Sequence, residues 1–368
     1  MDRSAMRTPL FIGAGALAMA LLLELVLQCL PVANGLRLEA SDARMPLSRY
    51  LPRQDYVYSY GWALDNARSG VTNRQGYANS PDFSERPEVL VLGNSFVESL
   101  MLDQPDTLQG QLGRQLNGAV LAAASSGNTL ADTLEMARYY VPRLHPRTVV
   151  VLVDAGSMNH LLQPATRGHS QFEEGVRGVR VVHNAYVESP LKQLVSHCAL
   201  VRYVYYNLKL PDWIASTLQA RRSAVPATAP VSAATNAARA RVFDYYLSQL
   251  NAVPGSAGMR YIFVIDGERN QLYDARHGQL NWLADNRQFL IKQLQRHGYP
   301  VLDMQPVFAR HWAVQRERLD FLPMDGHWNK VAHGLAAQQL LPLLCAGTGC
   351  TLLAPALADG ARRKEKTG

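Results

Sequence analysis

From residue 87 onward, short unbroken apolar runs alternate with segments whose apolar positions recur at helical spacing. The first run, Val89, Leu90, Val91 and Leu92, is stopped by Gly93, Asn94 and Ser95. A second run over 119–124 ends in Ser125, Ser126 and Gly127, and a third, β-branched, covers 148–153. Continuous runs, as opposed to apolar–polar alternation, predict strands buried on both faces, as in a parallel sheet. Between the runs lie a polar helix over 105–116 and a helix beginning near Asn128, a residue type suited to an N-cap. The second helix places Leu130, Leu134, Ala137 and Val141 on one face and is expected to close at Pro142. The alternation returns with a strand over 261–265, a helix over 280–296, a strand over 301–304 and a last helix over 330–344 capped by Asn329. Five strands separated by helices predict a mostly parallel sheet with right-handed crossovers.

Two stretches lie outside this rhythm. Residues 154–258 hold a loop, the strand-like GVRVVHNAYV, an apolar helix over 191–208, an Ala-, Pro-, Ser- and Thr-rich linker over 221–238 and a helix over 237–250. The interval from about 160 to 258 is expected to be an insertion covering one side of the sheet. Before the sheet, 34–57 reads as an irregular stalk. The Gly-, Asn- and Arg-rich segment that follows, to residue 83, reads as a polar layer beside the sheet edge. The chain thus divides into 1–8, 9–33, 34–86, 87–345 and a tail, 346–368.

Residues 9–33 form an apolar run broken by one acid, Glu24, long enough for a spanning helix of about 20 residues. Arg3 and Arg7 precede this run, so the positive-inside rule leaves 1–8 in the cytoplasm and everything after it outside. The expectation is a single-pass anchor in a bacterial inner membrane with the large domain in the periplasm. The rival is a cleaved signal peptide, but Pro31 two places before Ala33 gives no small-x-small site, and Gln28 before Cys29 does not suit a lipoprotein. Glu24 is either a helix–helix contact or tolerated.

Charge and cysteines add little to this picture. The net charge of +7 is partly concentrated in Arg362, Arg363, Lys364 and Lys366, which read as a solvated end. No aromatic-interleaved basic patch suggests nucleic acid. The four cysteines have no zinc spacing, and Cys198 reads as a buried small residue on an apolar helix. Cys345 and Cys350 flank AGTG and would form a small-loop disulfide in an oxidising compartment. No metalloprotease motif or phosphate-binding glycine loop occurs, so neither metal nor cofactor is expected.

The candidate chemistry sits where strands end. A serine on a Gly-containing turn after a buried strand faces the sheet's carboxyl edge, where open α/β sheets place ligands. Ser95 is such a residue. A serine hydroxyl needs a base, and the base an orienting acceptor. Asp325 and His327, separated only by Gly326 after the last strand, can supply both. Taken singly, Ser95 would more often cap a helix, Asp325 make a turn and His327 cap a helix. Their chain order, each at the edge of a different unit, favours a site. His160 reads as a loop histidine, and so does His333, despite lying on the helix that follows the site loop. Asp154 is a possible acceptor behind the site, and Asp266 a turn residue or part of the pocket wall.

GNSF after the first strand, Gly127 after the second, a polar loop after the third and DGHWN before the last helix resemble the SGNH/GDSL hydrolase superfamily. The similarity is to its bacterial envelope-associated members, whose last motif reads D-x-H-x-N-x-x-G. It covers 87–160 and 259–345; Gly61-Trp62 and Asn73-Arg74-Gln75-Gly76 also resemble the segment preceding the nucleophile strand in such proteins. The resemblance implies a three-layer α/β/α, flavodoxin-like SGNH fold with a central, mostly parallel five-stranded sheet after one transmembrane helix. It makes Ser95 the nucleophile and an oxyanion donor through its N–H, Gly127 a second donor, His327 the base and Asp325 its orienter. For the third oxyanion donor it offers Asn159, with Ser157 as the alternative. Asn94 stands where the family has Asp. The implied activity is acyl-ester hydrolysis, or O-acyl transfer, on an envelope or exopolysaccharide glycan, in company with polysaccharide-biosynthesis proteins. The alternative is a non-catalytic polysaccharide-binding or scaffold protein of an export complex.

Overall fold

The computed structural model describes residues 3–116, 119–211, 213–215, 232–255, 258–273, 281–322 and 324–346. Most of the expected linker, the tail from 347 and Cys350 lie outside the described residues.

The chain opens with helix α1 (Arg3–Gln28), of which the 18 residues Phe11–Gln28 are long and apolar enough to cross a membrane. Phe11, Ile12, Leu17 and Leu25 on it are exposed. Strands β1 (Asp55–Tyr60) and β2 (Asp65–Val71) then form an antiparallel hairpin. Sequence reading expected irregular chain here. The strand period is carried by tyrosines, Tyr56, Tyr58 and Tyr60, and the surrounding Gly, Asn and Arg residues hide it.

The domain proper begins with β3 (Val89–Gly93) and the one-turn helix α2 (Ser95–Glu98). Helix α3 (Leu108–Gly113), β4 (Val120–Ala124), α4 (Leu130–Leu144), β5 (Thr148–Val153) and α5 (Ser157–His160) follow. The hairpin β6 (Ser170–Gly175)–β7 (Gly178–His183), the short helices α6 (Pro190–Val195) and α7 (Ala199–Arg202), a π-helical turn Tyr203–Asn207 and the long helix α8 (Ala233–Asn251) come next. The last part contains β8 (Arg260–Ile265), α9 (Asn270–Tyr273), α10 (Asn281–Arg296), β9 (Val301–Asp303) and α11 (Met304–Gln315). It closes with the short strands β10 (Asp320–Phe321) and β11 (Asp325–Trp328) and helix α12 (Lys330–Cys345).

The five long-range strands pair in the order β4-β3-β5-β8-β9, and every pairing is parallel. Counted along the chain this is the flavodoxin-like 2-1-3-4-5 order. Side chains alternate between faces. Leu90, Leu92, Val149 and Val151 pack with Leu134 of α4, Tyr246 of α8 and Leu290 of α10. Val89, Val91, Val150 and Leu152 pack with Leu112 of α3, Phe308 of α11 and Leu340 of α12. Both faces are covered, which is why the strands read as unbroken apolar runs. The strand order reverses at β3, so the crevice between the carboxyl ends of β3 and β5 is the natural ligand position.

Several elements differ from expectation. Helix α4 is capped by Thr129 and not Asn128, because Thr129 and Asp132 form a reciprocal capping box. Asn128 instead donates to the Gly93 carbonyl at 3.0 Å, tying the turn after β4 to the end of β3. Pro142 lies inside α4, which ends two residues later before left-handed His145. Asp303 caps α11 directly after β9, a helix the sequence reading did not foresee. The expected helix over 191–208 is broken at Ser196–Cys198, and Cys198 is extended and half-buried. The break lets α7 start on the Glu24 carboxylate of α1, which accepts from the N–H groups of Leu200 (2.7 Å) and Ala199 (2.9 Å). Glu24 is thus a helix–helix contact between the first helix and the later domain. Of the expected small-loop disulfide, Cys345 is disulfide-bonded.

His333 lies on α12, within the helix expected there, and is fully buried. Its Nδ1 accepts from the Leu108 N–H at 3.0 Å, so Nε2 carries the proton and faces the Ser99 hydroxyl at 3.0 Å. Burial pushes its pKa down to about 3, helped by the nearby His327 and Arg269. The folded state holds it neutral while the unfolded chain protonates it near pH 6.5. Its contribution to stability is therefore present above pH 6.5 and is lost as pH falls towards 3, at up to about 1.4 kcal/mol per pH unit. In chemical denaturation of the full chain between pH 7 and 4, His333→Gln is expected to lose stability less steeply than wild type. Equal slopes would refute this.

Candidate active site

The nucleophile position is built by a close approach of backbone and helix. A Cβ on Gly93 would lie 2.5 Å from Val97 Cγ2, so only glycine lets α2 fold back against the end of β3. Asn94 caps α2, its Oδ1 accepting from the Phe96 N–H at 3.1 Å. The Asn94 amide also donates to Asp154 Oδ2 at 2.8 Å, which joins the ends of β3 and β5 across the crevice. Asparagine at this position is therefore used twice, as acceptor and as donor. Ser95 is left at the first helical position, aimed out of the sheet edge.

The structure brings Ser95, His327 and Asp325 together across 232 residues of sequence. His327 Nε2 is 2.7 Å from Ser95 Oγ. On the other side of the ring, Nδ1 bonds Asp325 Oδ1, which also accepts from the His327 N–H at 2.9 Å. A carboxylate at Nδ1 fixes the proton there and leaves Nε2 free to accept from the serine. Burial pushes the Asp325 carboxyl up, but hydrogen bonds and charge from His327 outweigh it and hold the group below the ordinary range. Tyr58 of the hairpin donates to the other oxygen of Asp325 at 3.3 Å.

Asp325 and His327 sit on β11, a strand that was expected to be a loop. What fixes it is a buried cluster at the end of β8. The Trp328 indole donates to Asp266 Oδ1 at 2.6 Å. Arg269 bonds the same Asp266 oxygen, donates to the Gly326 carbonyl at 2.7 Å and lies 3.4 Å from Asp320. Asp266, expected as a turn residue or pocket wall, thus anchors the histidine strand and also lines a second hollow behind it.

Ser95 opens into a cavity of about 420 Å³, lined also by Gly127, Leu130, Ser157, Leu161 and Phe172. Gly127 has φ +86°, and a Cβ there would come within 3.2 Å of the His169 ring. Among the described residues, neither the Ser95 nor the Gly127 N–H meets a protein acceptor. Free backbone donors beside a serine hydroxyl are what a tetrahedral oxyanion requires. Ser157 also lines the cavity, but its hydroxyl donates to Asp154 at 2.5 Å. Asn159 is not among the cavity-lining residues. Its Oδ1 accepts from Asn286 at 3.0 Å and Arg239 at 3.3 Å. The reason is local: α5 starts at Ser157, and two residues of helix rotate Asn159 towards α8 and α10.

Sequence reasoning missed the support behind Gly127. Glu98 on α2 is fully buried, and burial pushes its carboxyl pKa up. Its Oε2 accepts from the Ser126 hydroxyl, while the Ser126 N–H donates to the Tyr50 hydroxyl at 3.1 Å. The turn that presents Gly127 is therefore held from α2 and from the segment before β1. A single Glu three residues after Ser95, and one Tyr in an irregular stretch, carry no signal in sequence.

Fold and site together define a three-layer α/β domain with a Ser–His–Asp relay at the carboxyl edge of a parallel sheet. In solved structures the chain is similar to a lipolytic protein of the G-D-S-L family from Veillonella parvula DSM 2008. The two are 9% identical over 69% of this chain and 96% of that one, with a TM-score of 0.37. It is also similar to a lipase/acylhydrolase from Enterococcus faecalis, 13% identical over 69% and 95% of the two chains, with a TM-score of 0.35. No family model matches the chain. No curated protein matches it either. Likeness at these scores adds nothing to the site geometry, which stands on the distances above.

Proposed function

We propose that the protein is a serine-dependent acyl-ester hydrolase of the SGNH/GDSL type. The observation that carries this reading is the Ser95 Oγ–His327 Nε2 contact of 2.7 Å with Asp325 behind the ring. His327 Nε2 takes the Ser95 proton as Oγ attacks the acyl carbonyl. The oxyanion is held by the Ser95 and Gly127 N–H groups. The intermediate then collapses, and His327 returns the proton to the departing alcohol oxygen. Water, activated by the same nitrogen, attacks the acyl-enzyme and releases the acid; a sugar hydroxyl in place of water gives O-acyl transfer. Of the two candidates for a third donor, Ser157 lines the cavity and Asn159 does not; the Ser157 hydroxyl would have to turn from Asp154 to the oxyanion to serve.

The apolar helix α1 anchors this domain in the bacterial inner membrane, with the site on the periplasmic side, where O-acyl groups of envelope or exopolysaccharide glycans are the substrate class. Exposed Leu191, Leu194, Trp213 and Ile214 add apolar surface in the segment that α7 ties to the first helix. The test is twofold. The full chain in detergent is expected to hydrolyse p-nitrophenyl acetate and to be labelled by a fluorophosphonate at Ser95. Absence of both favours a glycan-binding or scaffold role. A reporter fused to the carboxyl end should be active only outside the cytoplasm; cytoplasmic activity refutes the topology.

A further inference from the structure

A further cleft, of about 350 Å³, is lined by residues next to the relay and to Gly127. Its walls come from the chain just after α1, from β1 and from the ends of α6 and the π-helical turn. Two residues link it to the site. Ser126 lines it and is the neighbour of Gly127, and Tyr58 lines it and donates to Asp325 at 3.3 Å.

Its chemistry differs from that of the first cavity. Lys192 and Lys209 both line it, together with Tyr60 and Tyr206. Lys192 Nζ donates to the Tyr186 hydroxyl at 3.0 Å. Lys209 Nζ lies 5.2 Å from the Tyr60 ring centroid. Among the described residues neither lysine has a carboxylate within ion-pair distance; Glu188, whose charge reaches Lys192, pairs with Arg37 at 2.6 Å, and the Lys209 charge helps hold the Asp325 carboxyl down. Lys209 has φ +48°, a left-handed conformation costly for a lysine, two residues after a π-helical turn. Gly35, at φ +63°, brings the backbone so close to Tyr206 that a Cβ would lie 2.4 Å from its ring. Strained or crowded backbone on both walls thus sets aromatic faces and two ammonium groups without a close ion pair around one hollow. Aromatic faces and hydroxyls suit a sugar ring; the paired ammonium groups add an anion requirement.

We propose that this cleft is a saccharide subsite selective for sugars carrying an anionic group, a uronate or a phosphate. It holds the alcohol part of the ester while the acyl group enters the Gly127 cavity. The proposal rests on the acyl-ester reading above.

The test compares four esters with the full chain in detergent: p-nitrophenyl acetate, O-acetylated oligogalacturonate, an O-acetylated hexose phosphate and O-acetylated xylo-oligosaccharide. Wild type is expected to prefer one or both anionic esters over the neutral saccharide, and the preferred one identifies the group. Lys192→Gln should lower kcat/KM for that ester by about tenfold and leave p-nitrophenyl acetate unchanged, while Lys192→Arg retains activity. The preference should shrink in roughly 0.5 M NaCl. Equal turnover of charged and neutral saccharides, an anionic preference untouched by Lys192→Gln, or hydrolysis of p-nitrophenyl acetate alone overturns the subsite and leaves the hydrolase standing. Turnover of none of the four overturns both.

Discussion

Ser95→Ala is expected to lower kcat for p-nitrophenyl acetate by roughly 10⁴- to 10⁶-fold, the range seen when the nucleophile of a serine relay is removed. The hydroxyl is the only atom lost. Asn94 still caps α2 and still bridges to Asp154, so the thermal midpoint should stay within the small range of surface substitutions. His327→Ala should cost nearly as much, and the double variant little more than either single one, because the two groups act as a unit. Asp325→Ala should cost less, since Asp325 orients the ring and supports its charge without touching substrate. Asp325 is held below the ordinary carboxylate range, so it stays ionised through a normal assay range. Steady-state kinetics on the three variants decides the matter. Activity retained in Ser95→Ala would sink the mechanism.

The largest stability effect is expected at Arg269. Its guanidinium, 9% exposed, is shared between Asp266, Asp320 and the Gly326 carbonyl. Arg269→Met keeps the apolar stem but takes the cation from buried Asp266 and leaves Asp320 with Arg318 alone; breaking a buried pair in this way typically costs about 3–5 kcal/mol. For a domain of this size the thermal midpoint should fall by roughly 10 °C. The loss should grow with pH. Burial already pushes the Asp266 carboxyl up against the pull of Arg269, so in the variant Asp266 takes a proton at low pH and bears an unpaired charge at high pH. Asp266→Asn in the same background should recover part of the loss. Because Arg269 also holds the carbonyl next to His327, kcat should fall well below the midpoint temperature. A melting curve within a degree or two of wild type would show that the strand carrying His327 is held by something else.

The legibility of the chain follows from where its order is stored. The parallel sheet was readable because burial on both faces forces continuous apolar runs, and Thr148–Val153 was bounded as observed. Asn329 was readable as a cap because an asparagine before a helix has few other uses; it accepts from the Val331 and Ala332 N–H groups. Asn128 has the same local appearance and a different use, because Thr129 and Asp132 compete for the cap and win by bonding reciprocally. The β1–β2 hairpin was hidden because its period rests on three tyrosines among loop-forming residues. The burial of His333 was hidden because a histidine near a site gives no sign of it; only the packing of α12 on α3 removes it from water.

The same division runs through the site. Ser95 was legible because a strand, a glycine turn and a helix start are all local features. Asp325 and His327 were legible as a pair two residues apart. That Nε2 lies 2.7 Å from Ser95 was decided only by the tertiary structure, which closes the gap through the strand order and through Arg269 and Trp328 under β11. The oxyanion side shows the limit most clearly. In sequence, Asn159 has the expected residue type but lies far from the strand, and Ser157, two residues earlier, has the more usual distance. One turn of α5 sends Ser157 to the cavity and Asn159 into contact with Asn286 and Arg239. By itself the sequence determined which segments are strands and helices and which residue types could react. Only the fold decided which of them meet, because side-chain direction at a strand end depends on partners that are far away along the chain.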